Sequence, residues 1–189
     1  VLNQLFRFTP MQTSFGCNML ALNGGRPEQL TLRTFLTNFI GFREEVVARR
    51  TAFELRKARE RSHILCGLAV TVSNVDEIVA TIRASSDAAE AREKLMQRSW
   101  PANEIREYIA LIDDPTHKIN DDGSYNLSEA QVRAILELRL QRLTQIGVKE
   151  VTDELEALSF KIKDYLEILA SRSKIMSIIA GELNEVKEQ

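Results

Sequence analysis

The sequence predicts a mainly α-helical fold: a long antiparallel coiled-coil arm with a small helical globular head inserted at its tip, plus a short N-terminal β-hairpin remnant. Two seams of small and apolar residues at heptad spacing, one in each half of the chain, indicate the arm. Only 8 Gly and 4 Pro occur among 189 residues, and 28% are charged, as is typical of long helices with surface ion pairs. We expect a hairpin and short helix (1–41), the arm (42–73 and 147–172), the head (74–146) and a supporting helix (173–189).

Residues 1–30 differ in pattern from the rest. Short apolar stretches flank Asn23-Gly24-Gly25, which predicts two strands joined by a turn. A lone hairpin is marginally stable in water, so we expect the strands to complete a sheet whose other members lie outside this sequence. The chain begins with Val1 and not with Met, which agrees with a piece of a longer protein.

The first arm helix is expected from Phe42 to about Ser73, where helix formers dominate and proline is absent. Thr31 can cap a shorter helix over Leu32–Ile40, with Gly41 as a potential bend. Along the long helix, mostly small residues alternate at intervals of three and four, so a partner helix can approach closely. They are Ala48, Thr51, Leu55, Ala58, Ser62, Leu65, Ala69 and Val72.

The partner seam lies near the other end of the chain and carries larger side chains, which complement the small ones. It consists of Val148, Val151, Leu155, Leu158, Ile162, Tyr165 and Leu169. Because the residues between the seams leave room for the chain to return, we expect the second helix to run antiparallel to the first. An amphipathic helix over Ser173–Val186 would support the base of the arm or the head.

The head is predicted to consist of short helices. We expect them over Asp76–Arg83, Asp87–Arg98 and Pro101–Ile112, the last with proline in its first turn. Ser86 or Asp87 can cap the second of these helices, and a polar loop precedes the final helix of the head.

The final head helix, expected over Glu129–Leu143, is apolar on more than one side. Ser128 and Gln131 at its start have the spacing of a capping box. One face can pack inside the head, and the other can form a subunit interface. The interface candidates are Val132, Ile135, Leu136, Leu138, Leu140 and Leu143.

Two arginines on the same predicted helix, Arg139 and Arg142, are candidate contacts for a partner protein. Leu138 and Leu140 flank Arg139 on both sides, which is an unusual place for a guanidinium group. The side chain can reach solvent from the edge of the helix, or it can anchor a partner. Both interpretations stay open at this point.

No residue pattern predicts a catalytic or metal site in this chain. Cys17 and Cys66 lie far apart and have no zinc-ligand spacing. His63 and His117 lack a second ligand at helical spacing, and no triad or phosphate-binding loop is present. No apolar run reaches the roughly 18 residues that span a bilayer, so we expect no membrane partner, a cytoplasmic location and reduced thiols.

The formal net charge of −2 gives the whole chain no electrostatic attraction to nucleic acid. Arg43–Arg61 is a local exception, with seven basic residues against four Glu. A solvated face with ion pairs along the helix is the simpler interpretation, and a strip that contacts DNA phosphates is the alternative. The candidates for the strip are Arg43, Arg49, Arg50, Arg56 and Lys57.

Separated motifs carry a resemblance to a known family. They are Met11–Leu22 (MQTSFGCNMLAL), Arg49–Ala58 followed by His63–Leu65, and Leu127–Gln131 leading to Leu138–Thr144. In these motifs the chain resembles the bacterial type IIA topoisomerases, and most of all the family of the DNA gyrase A subunit. The corresponding topoisomerase IV protein shares the architecture, while the first motif favours gyrase. The resemblance covers essentially the whole chain.

The resemblance implies the end of the tower domain, the coiled-coil arm and a terminal globule, two of which meet in a homodimer as an exit gate. It implies a part in the ATP-dependent passage of one DNA duplex through a double-strand break, which introduces negative supercoils. The family's nucleophilic tyrosine precedes the region that begins at Val1, so no catalytic residue carries over.

The resemblance also sets the expected cofactors and partners. ATP and Mg²⁺ belong to the other gyrase protein, so this chain is expected to bind no cofactor. The B subunit of gyrase and duplex DNA are the implied partners, and the family's toxin-contacting arginine matches Arg139. Two alternatives stay open: a free-standing coiled-coil adaptor that binds a protein partner, and the homologous region of the topoisomerase IV A subunit.

Overall fold

The computed structural model describes residues 1–102, 106, 108–109, 119–120, 122–138 and 148–189. Helices dominate these residues, with one very long helix and a small N-terminal hairpin, so the predicted fold class is confirmed. The chain divides into two compact units, residues 1–46 and residues 47–189.

The first unit contains the predicted hairpin. Strand β1 (Leu20–Asn23) pairs antiparallel with β2 (Arg26–Gln29). Gly24 and Gly25 have φ angles of +57° and +83°, and a tight two-residue turn needs such positive values at both positions. A short helix, α1 (Leu2–Phe8), precedes the hairpin and was not expected from the sequence.

Helix α2 runs without interruption from Leu32 to Ser73. The two helices expected on either side of Gly41 are therefore one helix. A glycine inside a helix costs only about 1 kcal/mol relative to alanine, which the rest of so long a helix easily offsets. The expected cap is present, since the Thr31 hydroxyl oxygen accepts a hydrogen bond from the Thr34 N–H at 3.2 Å.

The arm belongs to the second unit and pairs α2 with α6 (Val148–Ala170). Leu55 and Ala58 pack against Ile162 in one buried cluster, and Leu65 joins Leu155 in another. Residues with higher numbers on α2 pack against residues with lower numbers on α6, so the helices run antiparallel as predicted. Most of the first seam is buried: Thr51, Leu55, Ala58, Ser62, Leu65 and Ala69.

Helix α7 (Arg172–Glu188) follows α6 and contacts it. Ile179 is buried, whereas Leu183 and Val186 are exposed, so only part of the predicted apolar stripe is covered. An ion pair between Arg50 and Glu182 ties α7 to α2. Helix α7 therefore contacts α6 and is joined to α2 by an ion pair.

The head contains α3 (Val75–Arg83), α4 (Ala88–Gln97), α5 (Glu129–Glu137) and two short strands. The Asp87 side chain caps α4 by accepting a hydrogen bond from the Glu90 N–H at 2.8 Å, as expected from the sequence. The helix predicted from Pro101 is wrong at its start. β3 (Ser99–Pro101) and β4 (Ser124–Asn126) pair antiparallel there.

The cause of that error is a buried aromatic pair between the strands. Trp100 lies opposite Tyr125, and their exposed fractions are 0% and 1%. Burial of two large aromatic side chains outweighs the preference of proline for a first helical turn. Such a contact joins residues far apart in sequence, so local spacing does not reveal it. Of the predicted Pro101–Ile112 helix, only residues 106, 108 and 109 are described beyond Ala102, and these are helical.

The final head helix is shorter than predicted. Helix α5 ends at Glu137, and Leu138 adopts an extended backbone whose N–H donates to Ile135 O. The sequence from Leu136 to Leu143 contains neither glycine nor proline, so no residue there predicts the end of the helix. Residues 139–147 lie outside the described part of the chain.

The arm helix enters the core of the head at its C-terminal end. From Val47 to Ser62 α2 buries a single stripe, but all seven residues from Leu65 to Thr71 are buried. They pack with Trp100 and Tyr125 of the strands and with Leu155 of α6. The head and the tip of the arm therefore share one core.

Among the described residues, no single helix has the length and apolar character to cross a membrane. Helices α2 and α3 together meet these criteria of length and composition, but they meet at a bend of 91°.

Candidate interaction surfaces

Two basic residues of Arg43–Arg61 are held by ion pairs across the arm. Arg50 contacts Glu182 of α7 at 2.6 Å. The Arg61 guanidinium donates two hydrogen bonds to the Glu154 carboxylate of α6, at 2.9 and 3.1 Å. Because both arginines join helices, their first role is structural. Arg50 is therefore a weaker candidate for phosphate contact than the sequence suggested.

A second group surrounds an exposed aromatic ring on the outer side of α2. Phe53 is 43% exposed. The Lys57 Nζ lies 4.7 Å from the ring centroid, and the Arg56 Cζ lies 5.5 Å from it. Both distances are in the range of cation–π attraction, which holds the cations over the ring. Arg56 also lies 3.9 Å from Glu60, an exposed pair of small energetic value.

The other two strip candidates differ in exposure. Arg49 is exposed and lies one helical turn before Phe53. Arg43 is half-buried and belongs to the first unit. Within the second unit, Arg49, Phe53, Arg56 and Lys57 thus form an exposed stripe, which we call the basic stripe. Its cations were expected from the sequence, but the exposed ring between them was not.

The four predicted dimer residues that the structure describes divide into two groups. Val132 is 0% exposed and Ile135 is 1% exposed, and both lie in the core of the head. Both side chains lie on the face of α5 that points into the head. Leu136 and Leu138 are half-buried at its edge. The remaining dimer candidates, Leu140 and Leu143, and the candidates for contact with a partner protein, Arg139 and Arg142, lie outside the described residues.

The capping box at the start of α5 is present as predicted. The Ser128 Oγ accepts from the Gln131 N–H at 3.2 Å, and the Gln131 Oε1 accepts from the Ser128 N–H at 2.9 Å. Both residues also contact the arm, which the spacing of the box could not show. The Gln131 Nε2 donates to His63 O, and the His63 ring lies 2.7 Å from the Ser128 hydroxyl.

The two cysteines differ in accessibility. Cys17 is exposed, while Cys66 is buried in the head core. Burial raises the pKa of the Cys66 thiol to about 12, because the thiolate would lose its hydration. Among the residues that the structure describes, no group of three or more His, Cys, Asp or Glu side chains could hold a metal ion.

Comparison with known proteins decides the family. Residues 1–184 match the DNA gyrase/topoisomerase IV family model, which describes the A subunit of these enzymes. The chain belongs to this family. It is 45% identical over 189 residues to the DNA gyrase A subunit of Granulibacter bethesdensis, covering 100% of this chain and 20% of that protein.

Two further relatives of this gyrase/topoisomerase IV family are similar over the whole chain. The DNA gyrase A subunit of Rickettsia bellii is 44% identical over 189 residues, which are 21% of that protein. The Haemophilus influenzae protein of the same name is 47% identical over 194 residues, which are 22% of its length. The chain therefore spans about a fifth of the curated relatives it matches. Family membership favours a topoisomerase subunit over the free-standing adaptor.

Proposed function

We propose that this chain supplies the coiled-coil arm and the dimerising exit gate of the A subunit of DNA gyrase. In the whole enzyme, two copies would act with the B subunit in the ATP-dependent passage of one duplex through another, introducing negative supercoils. The chain itself would contribute mechanical parts and not the nucleophile. ATP and Mg²⁺ would belong to the other gyrase protein, and the assembly would work in the cytoplasm.

The observation that carries this proposal is the combination of family membership with the form of the second unit. An antiparallel pair of long helices ends in a head whose core it shares. Such an arm transmits motion over a long distance, because the part of α2 in the second unit, from Val47 to Ser73, extends about 40 Å at 1.5 Å per residue. A moving gate needs a stiff lever of this kind, and the head at its tip is the natural place for two copies to meet.

The expected homodimer provides the direct test. Sedimentation equilibrium of the chain at tens of micromolar should show a dimer that dissociates on dilution. A closed two-fold contact of this kind is the commonest form of homo-oligomer. A chain that stays monomeric throughout, with a folded head, would contradict the gate proposal.

A second candidate function is contact between the basic stripe and a DNA duplex. The exposed Phe53 ring holds Arg56 and Lys57 on one outward face, away from the partner helices. Cations gathered on one face are the usual means of contacting phosphates, and their release of counterions makes binding sensitive to salt. In the intact enzyme this stripe would line the path of a duplex.

We expect charge reversal in the basic stripe to weaken duplex binding. Replacing Arg56→Glu and Lys57→Glu together should lower the slope of log affinity against log salt by about 2, one unit for each phosphate that is no longer neutralised. The matched control is Lys161→Glu with Lys163→Glu on α6, where both lysines are exposed and the charge change is the same. If both double variants lost affinity equally, the loss would be due to net charge. That result would exclude the basic stripe as a DNA-binding site.

A further inference from the structure

Gln131 of α5 lies in a slot on the arm helix that exists because residue 67 is glycine. A Cβ on Gly67 would lie 2.7 Å from both the Cβ and the Cγ of Gln131, closer than packed carbon atoms approach. One turn earlier on α2, the carbonyl oxygen of His63 accepts a hydrogen bond from the Gln131 Nε2 at 2.7 Å. The side chain of Gln131 thus lies along one turn of α2, between these two residues.

The amide of Gln131 has its hydrogen bonds satisfied although the residue is 0% exposed. Its Oε1 accepts from the Ser128 N–H at 2.9 Å. The Tyr125 hydroxyl oxygen lies 2.9 Å from Nε2 and 3.2 Å from Oε1. Displacing α5 would leave several of these buried groups unpaired, which is unfavourable because a buried polar group without a partner has lost its hydration. The network therefore fixes one position of α5.

Ser128 provides a second attachment of α5 to the arm. Its hydroxyl lies 2.7 Å from the His63 Nε2 and also caps α5. Residues 128 and 131 are one helical turn apart, and both contact the same turn of α2. Two contacts one turn apart resist pivoting of α5 on the arm helix, which a single contact would permit.

Apolar packing continues behind this network. Cys66 on α2, Val132 on α5 and Leu155 on α6 belong to one buried cluster. The polar contacts therefore lie at the edge of a core to which both arm helices and the head contribute.

We propose that Gln131 and Gly67 form a clamp that fixes α5 on the arm helix, so that head and arm move as one rigid body. Motion or load along the arm then reaches the head without a hinge at residues 63–67. The clamp rests on the geometry of the second unit alone and is independent of the partners that the head binds.

The test measures the distance distribution between head and arm by pulsed electron spin resonance. Spin labels are placed at Glu93→Cys on α4 and Lys163→Cys on α6, both exposed positions, in the full chain with Cys17→Ser. Cys66 stays unlabelled because it is buried. Dilution with unlabelled chain restricts the signal to distances within one chain. The clamp predicts a narrow distribution that Gln131→Leu and Gly67→Ala each broaden by at least about twofold.

Two controls separate the clamp from general effects of substitution. Gln97→Leu changes an exposed glutamine of α4, and Gly181→Ala changes a helical glycine of α7 with open space around its Cβ. Neither should alter the distribution. Trp100 fluorescence identifies variants whose head is unfolded. If a clamp variant is unfolded, Tyr125→Phe is measured in its place, because it removes only one hydroxyl from the network. A folded clamp variant with a distribution as narrow as the parent would overturn the proposal.

Discussion

Leu155→Ala should lower the free energy of unfolding by about 2–5 kcal/mol, the usual cost of a large-to-small change in a core. Leu155 is 0% exposed and lies where the second arm helix meets the core of the head. The cavity left by the substitution would lie between helices that already pack closely, so little relaxation can fill it. Urea unfolding followed by two probes measures the effect.

The two probes show whether the substitution destabilises the arm alone or the arm and the head together. Fluorescence of Trp100, the only tryptophan, reports the head, and far-ultraviolet circular dichroism reports the helices of the whole chain. Because arm and head share a core, the Trp100 transition should shift together with the main helical transition. Leu166→Ala on the same helix is the control, since Leu166 is 37% exposed and should cost far less. A Trp100 transition that stays in place would show that the head folds without Leu155.

Leu138→Asp should weaken the proposed homodimer by about 100-fold or more. A carboxylate buried without a partner in an interface costs several kcal/mol, and each 1.4 kcal/mol changes the dissociation constant about tenfold. Leu138 lies just after α5, at the half-buried edge of the head where the proposed contact begins. Sedimentation equilibrium over a dilution series gives the dissociation constant.

Leu166→Asp is the matched control for that measurement, since it places the same charge at an exposed position of the arm helix α6. Its dimer should dissociate as the parent does. Trp100 fluorescence must be unchanged in Leu138→Asp, so that dissociation of the dimer is not unfolding of the head. A folded Leu138→Asp chain with the parent's dissociation constant would exclude this edge of the head as the contact.

The arm could be predicted from the sequence because its seam residues recur at regular intervals. Alternation of three and four along α2 placed Thr51, Leu55 and Ala58 on one seam, and all three are buried. The matching seam led directly to Ile162 and Leu155. Local capping signals were equally reliable, as Asp87 and Ser128 show. Periodicity and capping depend on residues that are close together in the chain, so both can be recognised directly in the sequence.

Contacts between distant residues could not be predicted in the same way. The Trp100–Tyr125 pair turned an expected helix start into a strand, and α5 ended without a stop signal. The role of Arg61 depends on the register of the two arm helices, which brings Glu154 beside it, and the role of Arg50 depends on the position of Glu182 on α7. The clamp was hidden for the same reason, since the importance of Gly67 depends on Gln131 lying against it.

The most direct test of the gate proposal is a chimera in which this chain replaces the matching segment of an active relative. In the DNA gyrase A subunit of Haemophilus influenzae, to which the chain is 47% identical, the matching segment would be replaced by this one. The chimera would be assembled with the relative's B subunit and assayed for supercoiling of relaxed plasmid with ATP. We expect negative supercoiling within about tenfold of the parent rate, a barrier change below about 1.4 kcal/mol. A folded, dimeric chimera that still cleaves DNA but introduces no supercoils would contradict the account.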